Sequence, residues 1–219
     1  MPDDRILRLF GFRPLGSGAE LDAALRDEVL PDFTTLAGIL DAYVARSSAD
    51  DDGERVIASI WESRDEMAAE LGDSSVLGRF HPERLEDLTS SRLDILPVAV
   101  AARFEREAAP AILRVFRGEV RAGELDAYVA EARGGTLADG ETNPGLIALY
   151  LGVEPPSRFI TVSAWADWGA IETATGGNIR RPIATRNAVR ITSGTATHYE
   201  ILPATTRPPN RERLAATPG

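Results

Sequence analysis

Apolar residues along this chain alternate between strand-like and helix-like spacing, and they do so in the same order twice. Residues 6–13 are rich in branched and aromatic side chains, which predicts a strand. After Gly16, Ser17 and Gly18, the apolar positions Leu21, Leu25, Val29 and Leu30 recur among acids. That spacing predicts a helix over 19–33, bent or ended near Pro31. Residues 39–46 and 55–62 read as two strands, joined by a turn at Asp50-Asp51-Asp52-Gly53. A second helix is expected over 64–71, with Ser63 as N-cap and Glu66 completing a capping box. Residues 93–100 supply a fourth strand.

The second half runs through the same elements. A strand over 112–120 precedes a helix over 124–132, and Asn143-Pro144-Gly145 forms a turn. Strands over 146–153 and 159–165 flank a hairpin turn at 154–157. A weaker helix starts near Asp167, and 195–202 closes the set. Each half is therefore β-α-β-β-α-β, the ferredoxin-like unit, and the fold class is α+β.

Four sequence anchors tie the halves together at a spacing of roughly 105 residues. Ile6-Leu7-Arg8-Leu9-Phe10 returns as Ile112-Leu113-Arg114-Val115-Phe116. Glu20-Leu21-Asp22-Ala23 returns as Glu124-Leu125-Asp126-Ala127. Ser59-Ile60-Trp61 returns as Ser163-Ala164-Trp165, and Ile95-Leu96-Pro97 as Ile201-Leu202-Pro203. That period has the size of a small domain. Two domains are expected, 5–100 and 111–204, with residues 205–219 as a mobile tail rich in Pro, Thr and Arg. A sheet with helices on one face must cover its other face. The duplication predicts that the halves do this for each other, sheet to sheet, so that the chain needs no second copy and is a monomer. The irregular segments 74–92 and 176–193 fall at matching places, where pocket walls or edge covers occur.

Charge and composition narrow the function. The formal net charge is −10 and the pI about 4.8, which argues against nucleic acid and anionic membranes as partners. Every basic residue is Arg, read as a GC-rich coding bias. There is no Cys, which removes disulfides, thiolate metal sites and a cysteine nucleophile. The two His, His81 and His198, are too few for a zinc cluster. No apolar stretch is long enough to span a membrane, and the N-terminus has no signal-peptide pattern. A soluble cytoplasmic protein is the expectation. No nucleophile elbow or phosphate loop is present, and Gly134-Gly135 and Gly176-Gly177 read as turns.

The phrase Ser59-Ile60-Trp61-Glu62-Ser63-Arg64-Asp65-Glu66-Met67 places a Trp at a strand end with an acidic, capped helix directly after it. Ala164-Trp165-Ala166-Asp167-Trp168 is a looser second copy. This resembles the antibiotic-biosynthesis-monooxygenase family of the dimeric α/β-barrel superfamily, over residues 5–203. The resemblance implies an intramolecular dimeric α/β barrel that binds a small aromatic or apolar ligand, with cofactor-free oxygenation of a phenol as the candidate reaction. It implies that Trp61 and Trp165 stand beside the ligand. The oxygenases of the family pair this Trp with an Asn four residues earlier, where this chain has Ile57 and Thr161. That departure favours the alternative of a non-catalytic ligand-binding or interaction protein. The heme-degrading members use a second-helix His and a first-strand Asn. Here the first strands have no Asn, and His81 precedes Pro82 in the irregular segment. No cofactor and no metal are expected.

The candidate ligand-binding residues are Trp61, Trp165, Arg181 and His198. A Trp in a sheet is more often a core residue with its N–H satisfied. Asn178, Arg180 and Arg181 form a polar cluster suited to a carboxylate or phenolate, or else an exposed loop. Two charges inside the first strands, Arg8 and Arg114, recur with two acids in the last strands, Asp94 and Glu200. Cross-strand pairs Arg8–Asp94 and Arg114–Glu200 are expected, because an unpaired buried charge is expensive. An Arg directed instead into a pocket would mark a ligand site.

Overall fold

The computed structural model describes residues 4–15, 18–33, 35–48, 53–72, 88–183 and 189–203. His81, the Asp50–Asp52 turn, most of the 74–92 segment and the expected tail lie outside the described residues. The chain divides into two compact units, residues 1–96 with 199–213 and residues 97–198 with 214–219.

The first unit contains β1 (Ile6–Pro14), β2 (Ile39–Ser47), β3 (Arg55–Trp61) and the start of β4 (Leu88–Arg103). Its sheet runs β4-β1-β3-β2, the ferredoxin-like order. The edge of β2 is covered by the last residues of β8 (Ile191–Ile201), with Arg46 opposite Glu200. A strand edge with unpaired N–H and C=O groups is a hazard, and this short pairing removes it.

The helical run after β1 has three parts: α1 (Gly18–Ala24), a π-helical turn at Leu25–Val29, and α2 (Leu30–Phe33). The helical run reaches Phe33, as the expected span 19–33 gave, with its irregularity just before Pro31. The Leu30 N–H reaches the Leu25 carbonyl five residues back, and Pro31, which has no N–H to offer, follows at once. Leu21, Leu25, Val29, Leu30 and Phe33 point into a single core with Ile6, Phe10, Ile57, Trp61 and Met67. Asp22, on α1, is also inside. Its carboxylate takes a forked pair of bonds from Arg55 on β3, at 2.8 and 3.1 Å.

α3 (Arg64–Leu71) starts where the sequence places it, with the Ser63 hydroxyl accepting from the Glu66 N–H at 3.1 Å. The other half of the capping box is not made. The Glu66 Oε2 is buried without a hydrogen-bond partner and lies against Gly38, where a Cβ would meet it at 2.5 Å.

The second unit repeats the plan. β5 (Ile112–Val120), β6 (Leu146–Glu154), β7 (Arg158–Trp165) and β8 to residue 198 form the order β8-β5-β7-β6. The end of β4 pairs with the edge of β6, Val98 opposite Gly152 through Arg103 opposite Ala148. β4 is thus 16 residues long, well beyond the expected 93–100, because its two ends serve different sheets. α4 (Leu125–Thr142) is also longer than expected and runs straight through Gly134-Gly135, which are not a turn. α5 (Trp168–Thr175) is capped by Asp167, whose carboxylate accepts from the Ala170 N–H at 2.8 Å. Gly176 closes it in the left-handed region at φ 66°, a conformation that glycine adopts without strain.

Matching details extend to the bulges. β2 shifts register between Ile39 and Asp41, and β6 between Leu146 and Ala148. The glycine before each bulge accepts a bond from just after the Trp strand, Glu62 N–H to Gly38 and Ala166 N–H to Gly145.

Candidate functional site

Each sheet carries the same four-residue arrangement. Arg8 lies across from Ser59 and Ile6 from Trp61; Arg114 lies across from Ser163 and Ile112 from Trp165. Residues two apart on a strand share a face, so Arg, the following Phe, Ser and Trp project together. The indole N–H of Trp61 donates to the Ser59 hydroxyl at 3.0 Å, and that of Trp165 to Ser163 at 2.8 Å. Both Trp side chains are fully buried. Each guanidinium stands 5.4 Å from a ring centroid, Arg8 over Phe10 and Arg114 over Phe116. Burial lowers the pKa of both Arg8 and Arg114 to about 10, which still leaves them cationic at neutral pH.

The surroundings of the second arrangement are distinct. Arg114 is 1% exposed. Its Nη2 donates to the Arg181 carbonyl at 2.5 Å, and its Nε has no hydrogen-bond partner. His198, on the neighbouring strand β8, is buried, and its Nε2 also has none. The imidazole stacks at a tilt on Trp168, 5.3 Å between centroids. Its pKa falls to about 4, first through burial and then through the positive charges of Arg114 and Arg180. At neutral pH His198 is therefore an uncharged imidazole.

Apolar residues flank this polar pair on both sides. Ile112, Trp165, Trp168, Ile171 and Ile179 form one cluster, and Phe116, Tyr128, Leu151 and Phe159 another. Arg114 sits on β5 between Ile112 of the first and Phe116 of the second. A planar cation set between two apolar walls can hold a flat ligand with an electron-rich group.

The expected site residues separate as follows. Trp165, His198 and the main chain of Arg181 come together around Arg114. The Arg181 side chain is exposed and contributes its carbonyl, contrary to the expectation of a guanidinium donor. Trp61 belongs to the first unit and makes the equivalent contacts there. The expected pair Arg114–Glu200 does not form: Glu200 is bonded by Arg46 at 3.1 Å, and Arg114 turns to Arg181. The cause is register, since Arg46 lies directly opposite Glu200. Asp94 is held by Arg92 at 3.1 Å. Trp168 was not among the expected site residues, and Arg114 was expected as a structural pair, or as a ligand residue if directed into a pocket. The signal for Arg114 was its place as a repeated charge in an apolar strand. Among the described residues, no group of three or more metal-ligating side chains converges. None of the described helices is long and apolar enough to cross a membrane.

No protein-family model matches the chain, and no curated protein matches it in sequence. Solved structures do match across nearly its full length. A proposed monooxygenase of Lactobacillus acidophilus superposes with a TM-score of 0.70 at 9% identity, covering 91% of this chain and 95% of its own. An anthrone oxidase-like protein gives 0.57 at 17% identity, covering 91% and 92%. A ferredoxin-fold protein of Listeria monocytogenes, related to antibiotic biosynthesis monooxygenases, gives 0.53 at 10% identity, covering 91% and 96%. The fold of this chain is that of the antibiotic-biosynthesis-monooxygenase-like proteins. At these identities the likeness concerns fold alone.

Proposed function

We propose that the second unit binds a small aromatic ligand at Arg114, with His198, Trp165 and Trp168 around it, and that the bound ligand is open to cofactor-free oxygenation. The observation that carries this reading is Arg114 itself, a buried guanidinium with an unpartnered Nε, set between two apolar clusters. A buried cation lowers the energy of negative charge developing beside it, and a dry, aromatic setting enlarges that effect. For a phenolic ring ketone of the anthrone kind the overall reaction balances with oxygen alone. The ring methylene loses two hydrogens, one oxygen atom becomes the new carbonyl, and the other leaves as water. The likeness in fold to an anthrone oxidase-like protein supports this choice of substrate class.

A second reading, ligand binding without turnover, is favoured by two observations. Ile57 and Thr161 stand where the resembling oxygenases place an Asn. His198, with its pKa lowered to about 4, is a weak base and takes a proton from a substrate poorly. Oxygen uptake with an anthrone-type phenol separates the two readings. The oxygenase reading expects uptake faster than the uncatalysed rate, and slower uptake with Arg114→Met or Trp165→Phe. Saturable binding of the same phenol without oxygen uptake establishes the second reading. Absence of both uptake and binding rejects the site.

A further inference from the structure

One other fully buried Arg among the described residues has a carboxylate partner. Arg55, as buried as Arg114, has the Asp22 carboxylate at 2.8 Å. Nearer the surface, Arg46 has Glu200, and Arg190 has Glu131 at 2.6 Å. Arg114 has only a neutral carbonyl, on Nη2, and an open Nε. The charges that act on His198 are both positive, Arg114 and Arg180. The site is thus locally cationic inside a chain of net charge −10. A buried ion without a counter-ion carries a desolvation cost that a matching charge offsets. No described side chain supplies that charge, so the cost is best met by a ligand.

We infer that the Arg114–His198 site selects an anionic oxygen, a carboxylate or phenolate attached directly to an aromatic ring, over the neutral form of the same molecule. Three features fit that chemistry. The Nε–H of Arg114 is free to donate to an oxygen anion, a charge-assisted bond stronger than a neutral one. The Nε2 of neutral His198 offers a second polar contact, as acceptor or, in its other tautomer, donor. Trp168 and Phe116 place aromatic faces beside the two polar groups, suited to a ring one bond away from the charged oxygen. The inference rests on the ligand-binding reading above and adds the charge state of the ligand to it.

Calorimetric titration of the full chain at pH 7 with 2-naphthoate and with methyl 2-naphthoate tests it. These probes share ring and shape and differ in charge. The expected result is binding of the anion at least about tenfold tighter than the ester, the scale of one charge-assisted bond gained. Arg114→Met should erase that preference while the ester still binds, and Arg8→Met in the first unit should leave it unchanged. Equal affinities for both probes in the wild-type protein overturn the anion assignment and leave an aromatic site standing. Binding of neither probe overturns the assignment and the ligand-binding reading together. A preference lost in Arg8→Met but kept in Arg114→Met moves the site to the first unit and overturns the inference as stated.

Discussion

The two halves share strand order, bulges and the Arg–Phe–Ser–Trp arrangement, yet they spend their charges differently. In the first, α1 carries Asp22 inward to a buried, forked ion pair with Arg55. In the second, the equivalent acid Asp126 is exposed and the position of Arg55 is Phe159, while the neighbouring Arg158 pairs with Glu154 at the surface. The position of Trp168 is Arg64 in the first half, and that of His198 is Arg92, which pairs with Asp94. Among the described residues, the helices of the first unit pack into one cluster, whereas in the second the corresponding apolar residues fall into two. Duplication preserved the frame. The proposed site lies in the half where the acid of the first helix stays at the surface.

This contrast can be broken experimentally, and the largest effect belongs to the buried pair. Arg55→Met should cost about 3 kcal/mol in urea unfolding, because it removes the forked partner of the buried Asp22 carboxylate and leaves it only Arg46 at 3.6 Å. Arg158→Met, at the surface pair of the second half, should cost about 0–1 kcal/mol. Equal losses would remove the claimed difference between the halves.

Next in size is a feature the halves have in common. Ser59→Ala and Ser163→Ala each leave a buried indole N–H unbonded, for about 1–3 kcal/mol apiece. The two losses should be alike, and a large inequality would show that one Trp finds another acceptor. Both variants should blue- or red-shift Trp fluorescence without loss of secondary structure by circular dichroism.

The helix caps come third. Ser63→Ala and Asp167→Ala should each cost about 1 kcal/mol by removing the acceptor for an N–H of the first turn. Thermal unfolding of the two single variants checks this.

The smallest effect is nil at neutral pH and grows only in acid. His198 has a folded pKa near 4 against an ordinary value of 6.5. Between those values the unfolded chain binds a proton that the folded chain does not, so stability falls as pH drops from 6.5 towards 4. His198→Gln removes that contribution. Its stability should decline less than that of the wild type over this window and match the wild-type trend above pH 7. Parallel curves through the window would mean that His198 is not held neutral.

The fold was legible in the sequence because strand and helix periodicities are local and the repeat states them twice. The α3 start at Ser63 needed only the residues around it. The α4 extension through Gly134-Gly135 was not legible. Glycine costs a helix about 1 kcal/mol relative to alanine, and packing at its far end offsets that cost. There Gly140 lies against Phe104, and its carbonyl accepts from Arg106 at 2.5 Å. The length of β4 was hidden for a similar reason, since its final residues form a strand only by pairing with β6.

The site divides along the same line. The sequence by itself determined the duplicated ferredoxin-like plan, the repeated Arg in each first strand and the Ser–x–Trp at the end of each third strand. Those are properties of composition, period and nearest neighbours, which a chain carries before it folds. Only the tertiary structure decided which acid meets which Arg. It gave Glu200 to Arg46 across a register and left Arg114 with a carbonyl, beside a His from another strand. Ion pairing depends on distances of a few ångströms between residues far apart in sequence. A one-residue change of register sends a side chain to the other face, and no local pattern encodes that choice.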